Sequence, residues 1–377
     1  MKVLVAGDYC PNRRIKPLIE QGEYDKIFSD IKPIIRDSDY SIVNFETCIN
    51  SSDDKPISKL GPNLGCSEKS LDALKWAGFN CVTLANNHFK DFGDSAVNRT
   101  LASLTKFGFD KVGGGNNITE ASELLIKNIN NKTLAVVNAC EHEFSIATKE
   151  QGGSNPLNPI QQFYAIQEAR KKADYVLVII HGGLENYQLP SPRMQELYRY
   201  FIDSGADAVV NHHQHCYSGY EIYKNKPIFY GLGNFCFDSF EEWKTDQMWN
   251  EAFVVRIDFS DERTGFELIP VLQCGKFPTI ELVKDKNDFM KSIELLNQNI
   301  LNADILESAI SSRYEQTRLN VEWIFEPYRT GILYKLFQKG FLPHFMTRKS
   351  KKVWGLIDYI DCETHRDRLL YLFSNMK

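Results

Sequence analysis

Five short β-branched runs, at 2–6, 41–45, 80–84, 175–180 and 207–211, each lead into an acid, an amide or an imidazole, and this restricts the fold more than any other feature of the chain. The first leads into Gly7-Asp8, the second into Glu46 and the third into Asn86-Asn87-His88; the fourth leads into His181-Gly182-Gly183 and the fifth into His212-His213-Gln214-His215. Between these runs and a sixth at 133–138 lie amphipathic stretches at 67–77, 94–107, 159–173 and 192–204, with apolar residues three and four apart, as in helices packed on a sheet. Ser95 and Ser191-Pro192 read as helix starts. Strands alternating with helices predict an α/β sheet, whose loops converge where the strands end. All five polar groups are therefore expected at one edge.

Beyond His215 the pattern changes to closely spaced strands at 219–223, 226–230, 252–259 and 265–273, an antiparallel section. From about residue 285 it becomes helical, punctuated by Pro327, Gly331, Gly340 and Pro343. The expected division is a catalytic domain over 1–280 and a mainly helical extension over 281–377. Gly113-Gly114-Gly115-Asn116-Asn117 reads as a tight loop. At 377 residues, 43% of them hydrophobic, the chain exceeds one ordinary small core and can bury a sizeable interior. Nine cysteines without a CxxC pair argue against a disulfide scaffold or a zinc knuckle. The start, Met1 to Asp8, is too short for a signal-peptide core, and no segment approaches the roughly 18–20 apolar residues of a membrane span. A cytoplasmic location is expected. A net charge of −5 gives no reason for nonspecific nucleic-acid binding.

The charge is unevenly spread, because residues 334–377 hold nine Lys/Arg against four Asp/Glu. There Phe337, Phe341, Leu342, Phe345, Val353, Trp354 and Leu356 are interleaved with Lys339, Arg348, Lys349, Lys351 and Lys352. Such a segment either makes a peripheral contact with an anionic membrane surface or forms a helical cap with its charges in solvent.

Carboxylate, amide oxygen and imidazole nitrogen together suit zinc, iron or manganese, whereas an oxygen-lined magnesium site would not need three histidines. In an extended segment His213 and His215 project the same way, so both rings reach one cluster, while His212 points to the other face and reads as structural or as a support behind the ligands. Glu46 has two oxygens with which to bridge two ions.

Gly7-Asp8, Asn44-x-Glu46, Asn86-Asn87-His88-x-x-Asp91-x-Gly93, His181-Gly182-Gly183, His213-x-His215 and Gly231-Leu232-Gly233-Asn234-Phe235 resemble, in order, the signature of the CapA-like poly-γ-glutamate capsule synthesis (PGA_cap) family. That family in turn resembles the calcineurin-like metallophosphoesterases. The resemblance spans residue 1 to about 240. It implies a metallophosphoesterase-like four-layer α-β-β-α sandwich with a C-terminal helical extension. It also implies two divalent ions, with Asp8 and His215 as ligands of one, Asn87, His181 and His213 as ligands of the other, and Glu46 as the bridge. His88 becomes a catalytic general acid facing a substrate phosphate. Three positions depart from the superfamily pattern: Cys10 stands where a histidine is usual, Glu46 where an aspartate is, and Phe89 where an acid follows the motif histidine. The ion at Asp8 and His215 is therefore expected to be the weaker, with Cys10 either an extra thiolate ligand or a small buried hydrophobe.

The remaining candidates carry two readings each. Asp91 either fixes the His88 imidazole or, with Gly93, shapes a turn. Arg193 and Glu185 either line the pocket, with Arg193 gripping a phosphate or carboxylate of the substrate, or begin a solvated helix. Gly231 and Gly233 let a backbone pass close to the site, and Asn234 is a candidate for substrate contact. The expected function is a metal-dependent hydrolase, a phosphomonoesterase or phosphodiesterase, acting on a phosphorylated small-molecule or polymer intermediate of capsule or other surface-polymer biosynthesis. Two other readings stand beside it. One is a non-catalytic metal-binding subunit of a polymer synthesis or export complex, partnered by other surface-polymer biosynthesis proteins; the other is an amide hydrolase or transferase acting on poly-γ-glutamate.

Overall fold

The structure, a computed structural model, describes residues 1–239, 247–261, 264–322, 331–342, 360 and 365. Two compact units, Met1–Glu307 and Ser308–Lys377, divide the chain.

The first unit is organised on the strand Lys2–Cys10. On one side it pairs in parallel with Tyr40–Phe45, which is followed outward by the parallel strands Cys81–Thr83 and Asp110–Val112. On the other side its N-terminal half pairs antiparallel with Glu251–Phe259, followed by Thr264–Gln273 and Ile280–Leu282. Its C-terminal half takes Asn234–Phe237 in parallel. Parallel neighbours need crossovers, and the helices Ile15–Gln21, Tyr24–Phe28, Lys32–Arg36, Lys69–Ala77 and Gly93–Lys106 supply them. A second sheet runs in the order Tyr220–Tyr223, Lys226–Phe229, Ala208–His212, Tyr175–His181, Lys132–Cys140, Leu125–Ile129. Its crossover helices, Pro159–Lys172 and Pro192–Asp203, pack back on its strands.

Alternation along the strands builds the layers. Leu4 and Ala6 join a cluster with Ile15, Ile19, Phe28, Leu71 and Leu74 of the covering helices, so the fully buried Val3 and Val5 turn the opposite way, into the seam between the sheets. Rings meet across that seam, Tyr175 against Phe259 at 5.3 Å between centroids and Phe229 against Phe266 at 5.0 Å. Tyr40–Phe45 and Tyr175–His181 are buried along their whole length, as strands covered on both faces must be. The first unit is thus the four-layer α-β-β-α sandwich that the resemblance implies.

Local chemistry explains the starts of the two crossover helices of the second sheet. Asn158 and Ser191 accept backbone N–H bonds at the starts of Pro159–Lys172 and Pro192–Asp203, each with proline in the first turn. Ser95 does not act as a start: the helix is Gly93–Lys106, and the Ser95 hydroxyl donates to Asp54 Oδ1 at 2.7 Å instead. Gly7 has a different job. A Cβ there would meet the Gly233 carbonyl oxygen at 1.9 Å, where Asn234–Phe237 joins the first strand. Gly7→Ala is expected to cost about 3 kcal/mol or more, the upper range for overpacking, because the obstacle is backbone. Chemical denaturation measures this, and a loss below about 1 kcal/mol would contradict so close an approach.

The helix Asn287–Leu301 buries Phe289, Ile293, Leu296 and Ile300 at spacings of four and three, so the first compact unit runs past position 280. In the second unit the described parts include the end of the helix Ala303–Glu322 and the helix Gly331–Gln338. Of the basic tail, Phe337 is buried and Phe341 exposed; Phe345, Arg348, Lys349, Lys351, Lys352, Val353, Trp354 and Leu356 lie outside the described residues, as do Pro327 and Pro343. Among the described residues no helix is long and apolar enough to cross a membrane.

Candidate metal centre

Asp8 lies within the first-sheet strand Lys2–Cys10, which runs on past the expected end at Ala6, and Glu46 and Asn87 follow Tyr40–Phe45 and Cys81–Thr83; in the second sheet His181 ends Tyr175–His181, and His213 and His215 follow Ala208–His212. Asp8 lies at an irregularity in the pairing of Lys2–Cys10 with both parallel neighbours, and such irregularities re-aim a side chain. Its Oδ1 accepts from Asn44 Nδ2 at 2.7 Å and its Oδ2 from the His213 backbone N–H at 3.3 Å. Burial, with the neighbouring Glu46 charge second, pushes the Asp8 pKa up to about 6. Glu46 is fully buried, and neither of its oxygens meets a hydrogen-bond donor among the described residues. Burial raises its pKa as well. Facing its Oε1 are His181 Nε2 at 3.5 Å and His215 Nε2 at 3.8 Å.

The three imidazoles differ. Burial first, then the charges of neighbouring imidazoles (His215 and His88 for His181; His181, His215 and His88 for His213), depresses the pKa of both well below the usual range, which favours the neutral form that a metal ligand needs. Burial also acts to lower His215, but the Glu46 and Asp8 carboxylates outweigh it and the pKa rises. His181 Nε2 lies 3.1 Å from both Asn87 Oδ1 and His213 Nδ1. Two groups result, Glu46-His181-His213 and Asp8-Glu46-His215, each with its ligand atoms within 4.8 Å of one another, and Glu46 belongs to both. A buried carboxylate with two unsatisfied oxygens is costly unless a cation lies against it. This donor set fits zinc, iron or manganese.

The two histidines converge by a route different from the expected one. The strand Ala208–His212 ends before them, and His213 (φ 93°) and His215 (φ 55°) both adopt left-handed backbone. For residues with a Cβ this costs about 1–3 kcal/mol each and clusters at functional sites. It is therefore a turn, and not alternation along a strand, that brings the rings together. His212 is buried with neither ring nitrogen hydrogen-bonded among the described residues, and it belongs to neither group; burial lowers its pKa to about 4.

Cys10 lies elsewhere. It packs with Leu64 and Phe237, burial holds its thiol far above the usual range, and it enters neither group. Of its two readings, the apolar one describes its position.

His88, 6% exposed, places Nδ1 2.6 Å from Asp91 Oδ2. Asp91 also shapes the local backbone, accepting from Leu64 N at Oδ2 (2.7 Å) and from Ile57 N at its carbonyl (2.9 Å), while Gly93 takes φ 73°. Its Oδ1 pairs at 2.6 Å with Lys59 Nζ, and both side chains are shut off from solvent. Lys59 has no sequence signal, since it sits in an irregular loop. Asn234 does not line the substrate space: it is fully buried, with Oδ1 2.9 Å from His215 Nδ1 and Nδ2 donating to the carbonyls of His215 and Trp249. It therefore holds the His215 ring with Nε2 toward Glu46. Asn44, present in the sequence motif Asn44-x-Glu46 without an expected role, reaches His181 Nδ1 (3.1 Å) as well as Asp8. Glu185 and Arg193 are exposed at the rim. The Glu185 charge is felt by Glu46 and His215, and Arg193 pairs with Glu141, whose Oε2 accepts from Gly183 N at 3.0 Å.

Fold and site together define a two-sheet α/β sandwich with a buried histidine-carboxylate centre suited to divalent metal. The chain belongs to the bacterial capsule synthesis protein PGA_cap family, whose model matches residues 2–239. It is 31% identical over 297 residues to the capsule biosynthesis protein CapA of Bacillus anthracis, covering 76% of this chain and 71% of that one. To the PGA biosynthesis protein CapA of Bacillus subtilis it is 32% identical over 269 residues, covering 70% of each. Among solved structures, a phosphatase from Mycoplasma pneumoniae superimposes on 72% of this chain and 93% of its own at 18% identity and a TM-score of 0.42.

Proposed function

We propose that this protein is a metal-dependent hydrolase that cleaves a phosphoester during synthesis of a bacterial surface polymer. The observation that carries the reading is the Glu46 carboxylate, buried and without a hydrogen-bond donor among the described residues, at the point shared by two histidine-containing groups. Asp8, Glu46 and His215 would hold one divalent ion, and Glu46, Asn87, His181 and His213 the other. With three side chains against four, the Asp8 position is expected to bind less tightly. When bound, zinc, manganese or iron supplies Lewis acidity toward a phosphoryl oxygen and a water of lowered pKa. His88, its Nδ1 engaged by Asp91, keeps Nε2 for delivering a proton to the leaving oxygen. At the rim Arg193 offers a guanidinium for a substrate phosphate or carboxylate, beside Glu185. The reading puts the reaction in the cytoplasm, on a phosphorylated precursor, among other proteins of surface-polymer synthesis, with the basic C-terminal segment as a peripheral membrane contact.

The names of the two Bacillus relatives, one a capsule and one a PGA biosynthesis protein, favour a second substrate class for the same centre, the amide bond of a γ-linked glutamate polymer. The test is turnover by the metal-loaded protein on generic phosphomonoesters, phosphodiesters and oligo-γ-glutamate, reading phosphate or alcohol against glutamate peptides. Asn87→Ala and His213→Ala are each expected to lower metal content and to slow turnover at least about 100-fold. Unchanged turnover in both variants, or none by metal-loaded wild type on either class, overturns the hydrolase reading.

A further inference from the structure

Asn87 and His213 come from different sheets to the same position, and one carboxylate stands behind both. Glu143 Oε2 accepts from Asn87 Nδ2 at 3.0 Å, and Glu143 Oε1 lies 3.4 Å from His213 Nε2. On their far sides Asn87 Oδ1 and His213 Nδ1 each lie 3.1 Å from His181 Nε2. Glu143 sits on the loop that follows the strand Lys132–Cys140, and that loop is tied to the Asn87 backbone by Ser145 Oγ, which donates to the Asn87 carbonyl at 2.7 Å.

The chemistry of the three groups makes this arrangement directional. An amide side chain has one accepting and one donating end, a neutral imidazole carries a single N–H, and an ionised carboxylate only accepts. A carboxylate behind Asn87 turns the NH₂ outward and the carbonyl oxygen inward. Behind His213 it draws the ring proton to Nε2 and leaves the Nδ1 lone pair facing inward. We propose that Glu143 is the positioning residue for the ion position formed by Glu46, Asn87, His181 and His213, fixing the amide direction of one ligand and the tautomer of another; the proposal rests on the metal reading above. Carboxylates that orient metal-bound histidines in this way are worth about 10–100-fold in affinity. The Asp8 position does not depend on Glu143, because Asn44 and Asn234 orient its ligands.

Glutamine at 143 keeps the size but presents an NH₂ to one of the two donors. The full chain, stripped of metal, is titrated with Zn²⁺ against a competing chelator for wild type, Glu143→Gln, Glu143→Asp and His213→Ala. Side-chain ¹⁵N shifts of the metal-free proteins report the His213 tautomer. Wild type is expected to take up two ions and to show the Nε2–H form. Glu143→Gln is expected to weaken one binding constant about 10–100-fold, leave the other unchanged and move His213 toward Nδ1–H. Glu143→Asp, still acceptor-only, is expected to keep the Nε2–H form and recover part of the affinity. If Glu143→Gln leaves both constants and the tautomer as they were, the proposal is wrong. Loss of the ion as complete as in His213→Ala would make Glu143 a ligand and overturn the positioning role. A wild type that takes up no zinc refutes the metal reading, and the tautomer of the metal-free protein then still decides the hold of Glu143 on His213.

Discussion

Glu46→Gln is expected to raise the melting temperature of the metal-stripped protein and to lower it, relative to wild type, once both are supplied with Zn²⁺ or Mn²⁺. Without metal, the wild-type fold buries a carboxyl that meets no hydrogen-bond donor among the described residues and for which burial raises the pKa, so that carrying its charge costs stability. Glutamine removes the charge at nearly the same volume. The gain is about 1–3 kcal/mol, the usual cost of an unsatisfied buried polar group, or about 2–6 °C at most for a unit of this size. The pH dependence carries the same signature. A carboxyl whose pKa is raised by folding costs stability above its native pKa and ceases to cost it when protonated, so the advantage of Glu46→Gln is largest at neutral pH and shrinks as the pH falls through that raised value. With metal the order reverses, because an ion bound to the native state at 100 times its Kd contributes about 2.7 kcal/mol, and the variant has lost the side chain common to both groups. Calorimetry in chelator and in excess metal reads both signs. A variant less stable than wild type under both conditions would show that Glu46 has a stabilising partner within the protein.

His88→Asn and Asp91→Asn are expected to separate chemistry from architecture. His88 belongs to neither ligand group, so its replacement is expected to slow turnover about 10²–10⁴-fold, the usual worth of a general acid, with metal content and unfolding little changed. Asp91→Asn also removes the charge that faces Lys59 at 2.6 Å in a place closed to solvent. Leaving one member of a buried ion pair uncompensated costs about 3–5 kcal/mol, so this variant is expected to lose stability as well as rate. Turnover, metal content by mass spectrometry and denaturation curves distinguish the two. Full turnover in His88→Asn would remove this residue from the chemistry.

The positions of the strands are legible in the β-branched runs, since 175–180 is the strand Tyr175–His181 and 252–259 is Glu251–Phe259, but the first strand runs through Gly7 and Asp8 to Cys10, past the run at 2–6, because pairing with Asn44 and Asn234 continues there. Such runs report burial, which is a local property of composition. The strand Asn234–Phe237 was read only as a close backbone passage, since four residues are too few to show a period and its partner is the far-off Lys2–Cys10. Lys59 and Glu143 were invisible for a related reason. Their importance lies wholly in contacts with His88, Asp91, Asn87 and His213 that only the folded chain creates. The His213-x-His215 spacing led to both rings reaching one place through the wrong backbone, because left-handed φ at a histidine is imposed by its surroundings and leaves no mark in the sequence.

The centre draws its carboxylates and amide from one sheet and its imidazoles from the other. No single strand edge can hold the set, so the coordination sphere exists only while the two layers are mated. Any slippage of one sheet past the other would spread the ligands apart before it exposed much apolar surface. Loss of metal affinity should therefore be the first sign of loosening in this fold, well ahead of unfolding itself.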